Sequence, residues 1–347
     1  MFAAFPPTVS IIVPVYNGGA PFRSCLTRLI KADPPPSEII IVADGDTDGS
    51  QCLAESLGLR VIKLPTPGGP ARARNQGSRI ACGDVLLFID SDVVVPPDIV
   101  GRVAKFFEDH PRQTALIGSY DDEPGEKNFF SQYKNLSHHY VHQTAREDAS
   151  TFWGACGAIR REVFLALEGF DENYRDPSIE DIELGYRLRQ SGYHIRLLKE
   201  LQVKHLKHWS ALSLLKSDIL HRAIPWTELS FRHRRLPNDL NIRTSSRISA
   251  LLVCALVAAI FGAWWNSRFL WGLAPLMLSL WLLNAQFYNF VYRKRRLWFT
   301  LRAVSWHWFY YLYSTAAFAI GALRYFAKRA TSRPTRATKA VLPLERS

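Results

Sequence analysis

Two carboxylates one residue apart, Asp90 and Asp92 in Ile89-Asp90-Ser91-Asp92, stand at the end of the apolar run Asp84-Val85-Leu86-Leu87-Phe88-Ile89. The run reads as a buried strand, and a buried strand of an open α/β sheet delivers its last residues to the ligand crevice. Two carboxylates held there repel each other and lose hydration, so they require a compensating cation. A hard divalent ion carried on a diphosphate meets that need, because Mg²⁺ is usually held by one or two carboxylates plus substrate phosphates. A solvated turn could carry the same residues, so the pair acquires meaning only with the segments around it.

Three other segments carry chemistry. Asp44-Gly45-Asp46-Thr47-Asp48-Gly49-Ser50 follows an apolar run; a carboxylate there can accept from a base or ribose, and the glycines let backbone approach a ligand. Gly68-Gly69-Pro70-Ala71-Arg72-Ala73-Arg74-Asn75 is a glycine turn opening a helix, and Arg74 can hold a carboxylate or phosphate. Glu180 and Asp181 open the amphipathic stretch to Leu188, where the helix dipole alone favours acids. A carboxylate so placed could also take a proton from an incoming hydroxyl as general base. Phe152-Trp153-Gly154-Ala155-Cys156 sets small residues beside aromatics, as a sugar-contacting wall would.

The elements that must position these residues alternate. Val9–Val15, 38–42 and 59–64 read as strands, with helical spacing at Cys25, Leu26, Leu29 and Ile30 between the first two. Strands alternating with helices predict an α/β fold with a mostly parallel sheet. At 347 residues the chain is long enough for about two domains. Its five cysteines are scattered without metal-finger spacing, which argues against a disulfide framework and for a cytosolic soluble part. The first seven residues lack the features of a signal peptide.

The composition changes near residue 247. Segments 248–265 and 269–291 approach the ~20 residues needed to cross ~30 Å of hydrocarbon. Only Asn266-Ser267-Arg268 separates them, so they form a hairpin, and basic clusters flank both open ends. The net charge of +12 is concentrated beyond Lys204. Beside two spans, such charge fits an anionic bilayer surface better than nucleic acid. Positive charge on the open ends places them in the cytoplasm. A third candidate, about 304–323, conflicts with that tendency, because a full crossing would put Arg324, Lys328, Arg329, Arg333, Arg336 and Lys339 outside. A span is the preferred reading over an interfacial helix. Leu212, Leu215, Ile219 and Leu220, interleaved with Lys216, His221 and Arg222, predict an amphipathic helix on the membrane surface.

In their order and spacing, Val9-Ser10-Ile11-Ile12-Val13-Pro14-Val15-Tyr16-Asn17, the Asp44–Ser50 loop, Ala71-Arg72-Ala73-Arg74-Asn75-Gln76-Gly77, Asp90-Ser91-Asp92, Arg160-Arg161-Glu162-Val163-Phe164, Gly169-Phe170-Asp171-Glu172 and Glu180-Asp181 resemble the family-2 inverting glycosyltransferases. The resemblance covers roughly residues 8–210. It implies a GT-A fold, Rossmann-like, with flanking helices, followed here by an α-helical membrane region. It also implies a nucleotide-diphosphate sugar donor. Pro14, Tyr16, Asn17, Asp44, Asp46, Arg74, Asp90 and Ser91 would line the donor pocket, and Asp92 would bind Mg²⁺ or Mn²⁺. Asp181, with Glu180 beside it, matches the catalytic base. Trp153, Gly154, Gly169, Phe170 and Asp171 fall on the acceptor side. In some GT-A enzymes a histidine after the base helix joins the metal, and His205 holds that position. Two departures, Ala43 for an aspartate and Asp46 for a serine, leave base recognition open. The Gln-x-x-Arg-Trp motif of processive synthases is absent, so one sugar per encounter is expected.

The expected organisation is a catalytic domain over 1–210, a basic interface segment over 211–247, membrane helices over 248–325 and a basic disordered tail over 326–347. The expected activity is transfer to a hydroxyl of a lipid-linked or envelope glycan acceptor, at the inner membrane, with the catalytic domain cytoplasmic. Polyprenyl-phosphate glycosyl transfer, a non-catalytic nucleotide-sugar-binding membrane subunit and nucleotidyl transfer are the alternatives.

Overall fold

β1 (Val9–Val15) is buried along its whole length, as a central parallel strand covered on both faces must be. It pairs in parallel with β2 (Glu38–Asp44) on one side and with β4 (Val85–Ile89) on the other. β3 (Arg60–Leu64) extends the parallel half beyond β2. The crossovers are α1 (Gly19–Ile30), α2 (Ser50–Ser56) and α3 (Pro70–Ile80). Pro70 at the first turn of α3 costs no hydrogen bond, because that amide has no helical partner anyway. The computed structural model describes residues 6–233 and 243–331.

Beyond β4 the sheet becomes mixed. β5 (Val93–Val94), α4 (Ile99–Asp109), β6 (Ala115–Tyr120), α5 (Phe129–Thr144), β7 (Asp148–Ala149), β8 (Cys156–Arg160), α6 (Arg161–Ala166), α7 (Glu180–Gln190) and β9 (Ile195–His205) complete the domain. The strand order is β3-β2-β1-β4-β8-β6-β9-β5, with β7 on β9. β8 runs antiparallel to both β4 and β6, while β6 and β9 are parallel. Two of these pairings build the site. Ile89 opposite Cys156 lays the Trp153–Ala155 wall beside Asp90, whose amide donates to the Ala155 carbonyl at 3.3 Å. Val93 opposite His205 brings the end of β9 to Asp92.

After β9 come α8 (Ala211–Lys216), a wide π-type turn over Ser217–Ala223, and α9 (Ile224–His233). Ser210 caps α8 with a reciprocal bond to Ser213. Leu212 and Leu220 are exposed on this segment while Leu214 and Ile224 are buried, so it is two-faced. Arg234 and Arg235, part of the basic cluster before the first hydrophobic segment, lie outside the described residues. α10 (Thr244–Gly262) and α11 (Leu273–Thr331) follow, joined by a 3₁₀ turn at Ser267–Gly272. Both helical stretches are long and apolar enough to cross a membrane. Trp264, Trp265 and Trp271 are exposed at the tip between them.

α11 is interrupted at Arg296, whose φ of 67° and ψ of −175° leave the helical region. Its second half folds back on its first: Trp308 bonds Tyr288, and Tyr311 bonds Asn284. The basic stretch at the break is docked, not free. Arg295 donates to Gln132 Oε1 and to the Asp122 carbonyl, and Lys294 pairs with Asp122. Arg243, before α10, donates to Thr144 at the other end of α5. The 304–323 segment belongs to one uninterrupted helix from Leu297 to Thr331, and that helix lies against the 217–233 segment. Tyr313 donates to Asp218, Lys328 pairs with Glu228, and Phe231 stacks on Tyr325. Helix therefore continues into the first residues of the tail read from sequence as disordered; 332–347 lie outside the described residues.

Gly185 in α7 touches the strand wall so closely that a Cβ would overlap the backbone of Thr151 and Phe152. Helix propensity alone favours alanine there by ~1 kcal/mol. The overlap should outweigh it, so Gly185→Ala is expected to lower the denaturation midpoint, by about 1–3 kcal/mol of stability.

Candidate active site

The site is organised by a buried arginine. Arg74, on α3, is 3% exposed. It donates from one guanidinium nitrogen to Asp90 Oδ1 at 2.6 Å and from another to Glu180 Oε1 at 2.9 Å. Burial disfavours its charge, but Asp90, Glu180 and Asp181 outweigh that and raise its pKa. The missing side chain of Gly154 makes room: a Cβ there would stand 2.9 Å from the guanidinium carbon. The Phe170 ring lies beneath, 5.4 Å from that carbon. Arg74 is therefore committed to two carboxylates, and it binds the end of β4 to the start of α7.

Glu180 and Asp181 are adjacent but separated in role. Both oxygens of Glu180 are occupied, one by Arg74 and the other by the Ser178 amide at 3.0 Å. Asp181 accepts the Gly154 amide at 3.1 Å and lines a small cavity with Trp153, His142, His138 and Arg222. Burial, then the neighbouring Glu180 charge, push its carboxyl up to about 6, against the opposing pull of the Gly154 amide, Arg222 and Arg74. A carboxylate poised near neutrality and facing a cavity suits a general base.

At the end of β4, Asp92 is brought to His205, with Nε2 3.7 Å from Oδ2. His205 is held by stacking on Tyr120, ring centroids 4.3 Å apart. Burial opposes ionisation of Asp92, yet His205 and Lys207 hold its carboxyl down to about 2. Ligand atoms at ~2.1 Å from one ion lie at most about 4.2 Å apart, so this pair can share a divalent ion. No cluster of three or more His, Cys, Asp or Glu is present among the described residues, so remaining ligands would come from substrate oxygens or water.

The donor-side loops are knitted together. Asn17 accepts the Thr47 amide at 2.8 Å, and Asp48 accepts the Gly19 amide and the Ser50 hydroxyl. Burial opposes ionisation of Asp48, but bonds from Asp46 and Ser50 hold its carboxyl down to about 2. Burial, then Asp48, raise Asp46. Tyr16 is exposed at the end of β1, while Pro14 is buried within the strand. Asp44 receives the Gly68 and Gly69 amides at 2.7–3.0 Å and so shapes the glycine turn before α3. Ser91 sits part-exposed between Asp90 and Asp92.

The expected acceptor side divides. Trp153 and Gly154 border the cavity at Asp181. Phe170 is buried in an aromatic cluster with Phe88, Phe152 and Phe164, so it packs under the site. Gly169 precedes it in a left-handed conformation, against Asn75. Asn75 pins this loop, accepting the Phe170 amide and donating to its carbonyl. The Asp171 carboxylate accepts from Asn173 within its own turn. Across the cavity stand His138 and His142, which carried no expected role, and Arg222, which was expected on the basic face of a membrane-surface helix. The run His138-His139-Tyr140-Val141-His142 was the available signal, with two histidines four apart on one helix face.

A mixed sheet with paired carboxylates at strand ends, tied through an arginine to an acidic helix start, defines a GT-A-type domain. Residues 10–167 match the model of glycosyl transferase family 2, and residues 134–209 match that described as the N-terminal domain of galactosyltransferase. Residues 10–167 thus form a glycosyl transferase family 2 domain. The chain is 27% identical over 127 residues to glycosyltransferase GlyG of Streptococcus pneumoniae, covering 35% of this chain and 42% of the relative. It is 34% identical over 115 residues to the poly(ribitol-phosphate) beta-N-acetylglucosaminyltransferase TarS of Staphylococcus aureus, covering 31% of this chain and 20% of that one. It thus spans less than half the length of these relatives. The mannosyltransferase PcManGT of Pyrobaculum calidifontis, solved with GDP-Man and Mn2+, shares the fold at 17% identity and TM-score 0.50, over 94% of this chain and 89% of that one.

Arg74→Met should leave Asp90 and Glu180 facing each other without their cation. The expected loss is about 3–5 kcal/mol in chemical denaturation, the cost of breaking a buried pair.

Proposed function

We propose that the chain is a membrane-attached inverting glycosyltransferase that moves one sugar from a nucleotide-diphosphate donor to an acceptor hydroxyl. The observation that carries this reading is Asp181, raised to about 6 and facing a cavity, across Arg74 from the Asp90–Asp92 strand end. The donor lies over the C-terminal ends of β1, β2 and β4, with Asn17, Asp44, Asp46 and Asp90 around it. Asp92 and His205 would hold Mg²⁺ or Mn²⁺, which would supply neutralisation of charge on the leaving diphosphate. Asp181 takes the proton of the acceptor hydroxyl as its oxygen attacks the anomeric carbon. The bond to the diphosphate breaks on the opposite face, so a single displacement inverts the centre. Arg74 keeps Asp90 and Glu180 in register with that path, and Trp153 forms the wall of the acceptor space.

The 19 residues of α10 span about 28 Å, close to the hydrocarbon thickness. We infer that α10 and the first half of α11 form a two-pass hairpin in the inner membrane, with its tryptophan tip at the far interface. The helix after Arg296 carries Arg324 and Lys328 against Glu228, and Tyr313 against Asp218. Charges of that density are costly in hydrocarbon, which favours an interfacial position for this helix over a third crossing. The basic tail and the catalytic domain then share the cytoplasmic side. A lipid-linked or envelope glycan acceptor follows from a site held at the membrane surface.

Three measurements test the chemistry. Asp181→Asn should lower turnover by about 10²–10⁴-fold while donor affinity stays within a few-fold, as read by nucleoside-diphosphate release and calorimetry; turnover retained in that variant removes the base assignment. In the wild type, turnover should rise with pH through about 6, as the Asp181 carboxyl loses its proton and becomes competent. His205→Ala should raise the Mn²⁺ concentration needed for half-maximal activity roughly tenfold, the lower edge of losses seen when groups around a metal are removed.

A further inference from the structure

The small cavity at Asp181 is not isolated. A larger one of about 160 Å³ lies on the other side of His138 and Val141, which line both. Its walls come from α5, the 217–223 turn, the first turn of α10 and both halves of α11. It opens at the root of the hairpin, where Ser245, Ser246 and Asn284 replace the leucines found further along.

The charges around this pair of cavities are not fully paired. Lys134 is satisfied by Asp218 at 2.6 Å, which also accepts from Tyr313. Arg222 lines the small cavity with Asp181 and pulls on its charge, but makes no ion pair within 4 Å among the described residues; it bonds His138 Nε2 at 3.4 Å. Among the described residues Arg243 bonds neutral oxygens, of Thr144 and Val141. Lys134 and Arg222 stand close enough to hold His138 neutral, after burial itself. The Nδ1 atoms of His138 and His142 are buried without a partner among the described residues, and His142 is 93% buried. Buried polar atoms of this kind ordinarily have a partner, so these await one.

We propose that these cavities hold the phosphate of a membrane lipid, with the lipid's polar end directed at Asp181 and its tail along the hairpin. This rests on the glycosyltransferase reading and identifies its acceptor as an anionic lipid. Guanidinium groups with no carboxylate bonded to them favour phosphate, which they grip in a fork geometry. Neutral histidine N–H groups supply further donors to its oxygens. The tail finds apolar surface at Leu251, Leu278 and Leu282, all exposed on the hairpin.

The test is direct binding to the purified, detergent-solubilised full chain, separate from turnover. Dioctanoyl phosphatidic acid, uncharged dioctanoylglycerol and inorganic phosphate are the probes, read by native mass spectrometry. Phosphatidate should bind about tenfold or more tightly than either comparator, the scale of charge-assisted phosphate contacts. Arg222→Gln should erase that preference, and Arg222→Lys should keep part of it, with thermal midpoints showing that both fold. Equal binding of dioctanoylglycerol, or a preference unchanged in Arg222→Gln, overturns the proposal. Inorganic phosphate binding as tightly as phosphatidate overturns the lipid source in favour of free phosphate. Nucleoside-diphosphate sugar binding with Mn²⁺ is measured on the same sample. Loss of phosphatidate preference with donor binding intact sinks this inference alone. Phosphatidate preference without donor binding supports the lipid site and sinks the enzyme reading.

Discussion

The ion bridge from Asp90 through Arg74 to Glu180 is the constraint on which the site depends. Three carboxylates, Asp90, Glu180 and Asp181, converge from β4 and α7 in a region largely shut from water. Without a cation between them they would repel, and α7 would not close on the sheet. Arg74 answers from a third element, α3, and burial makes its placement exacting, because a guanidinium out of water must meet its partners directly. Other features make room for it: the missing Cβ of Gly154, the Phe170 ring beneath and the Asn75 clamp on the Phe170 loop.

That bridge separates two neighbouring acids. Glu180 is spent on Arg74 and the Ser178 amide, so it serves as an anchor. Asp181, one residue on, points into the cavity with a raised pKa. The same division appears at the strand end, where Asp90 holds the arginine and Asp92 meets His205. In each pair one carboxylate is bonded to Arg74 and the other is not.

The second organising element is α5. One face covers the active-site cavity through His138 and His142, and another packs on α11 through Tyr133, Tyr140 and His139. Arg243 and Arg295 fasten the two open ends of the hairpin near its two ends. The hydrophobic helices thus line the larger cavity, which meets the one at Asp181 along His138 and Val141 of α5. The proposed acceptor route follows from that continuity.

Much of this was legible in the chain. The parallel half of the sheet followed from apolar runs alternating with helical spacing, and the Asp90–Asp92 and Glu180–Asp181 pairs stood out by type and position. The hairpin was visible as two uncharged runs with a three-residue break. Less legible were the partners. Nothing in its neighbourhood distinguishes Arg74 from a ligand-binding arginine, because its carboxylates lie 16 and 106 residues away. Gly169 and Phe170 were expected beside the acceptor, yet packing places Phe170 in an aromatic core. The fold-back at Arg296 and the attachment of the last helix to α9 were likewise hidden, since hydropathy records how apolar a segment is and not what it packs against.

Sequence by itself determined the types of chemistry present and the order of elements, because strand runs, glycine turns and acidic helix starts are local signals. Tertiary structure alone decided which carboxylate is free, which is bridged, and what lines the space before Asp181. Those outcomes depend on pairings between segments far apart in the chain, and on burial, which changes the energy of a charge without changing its identity.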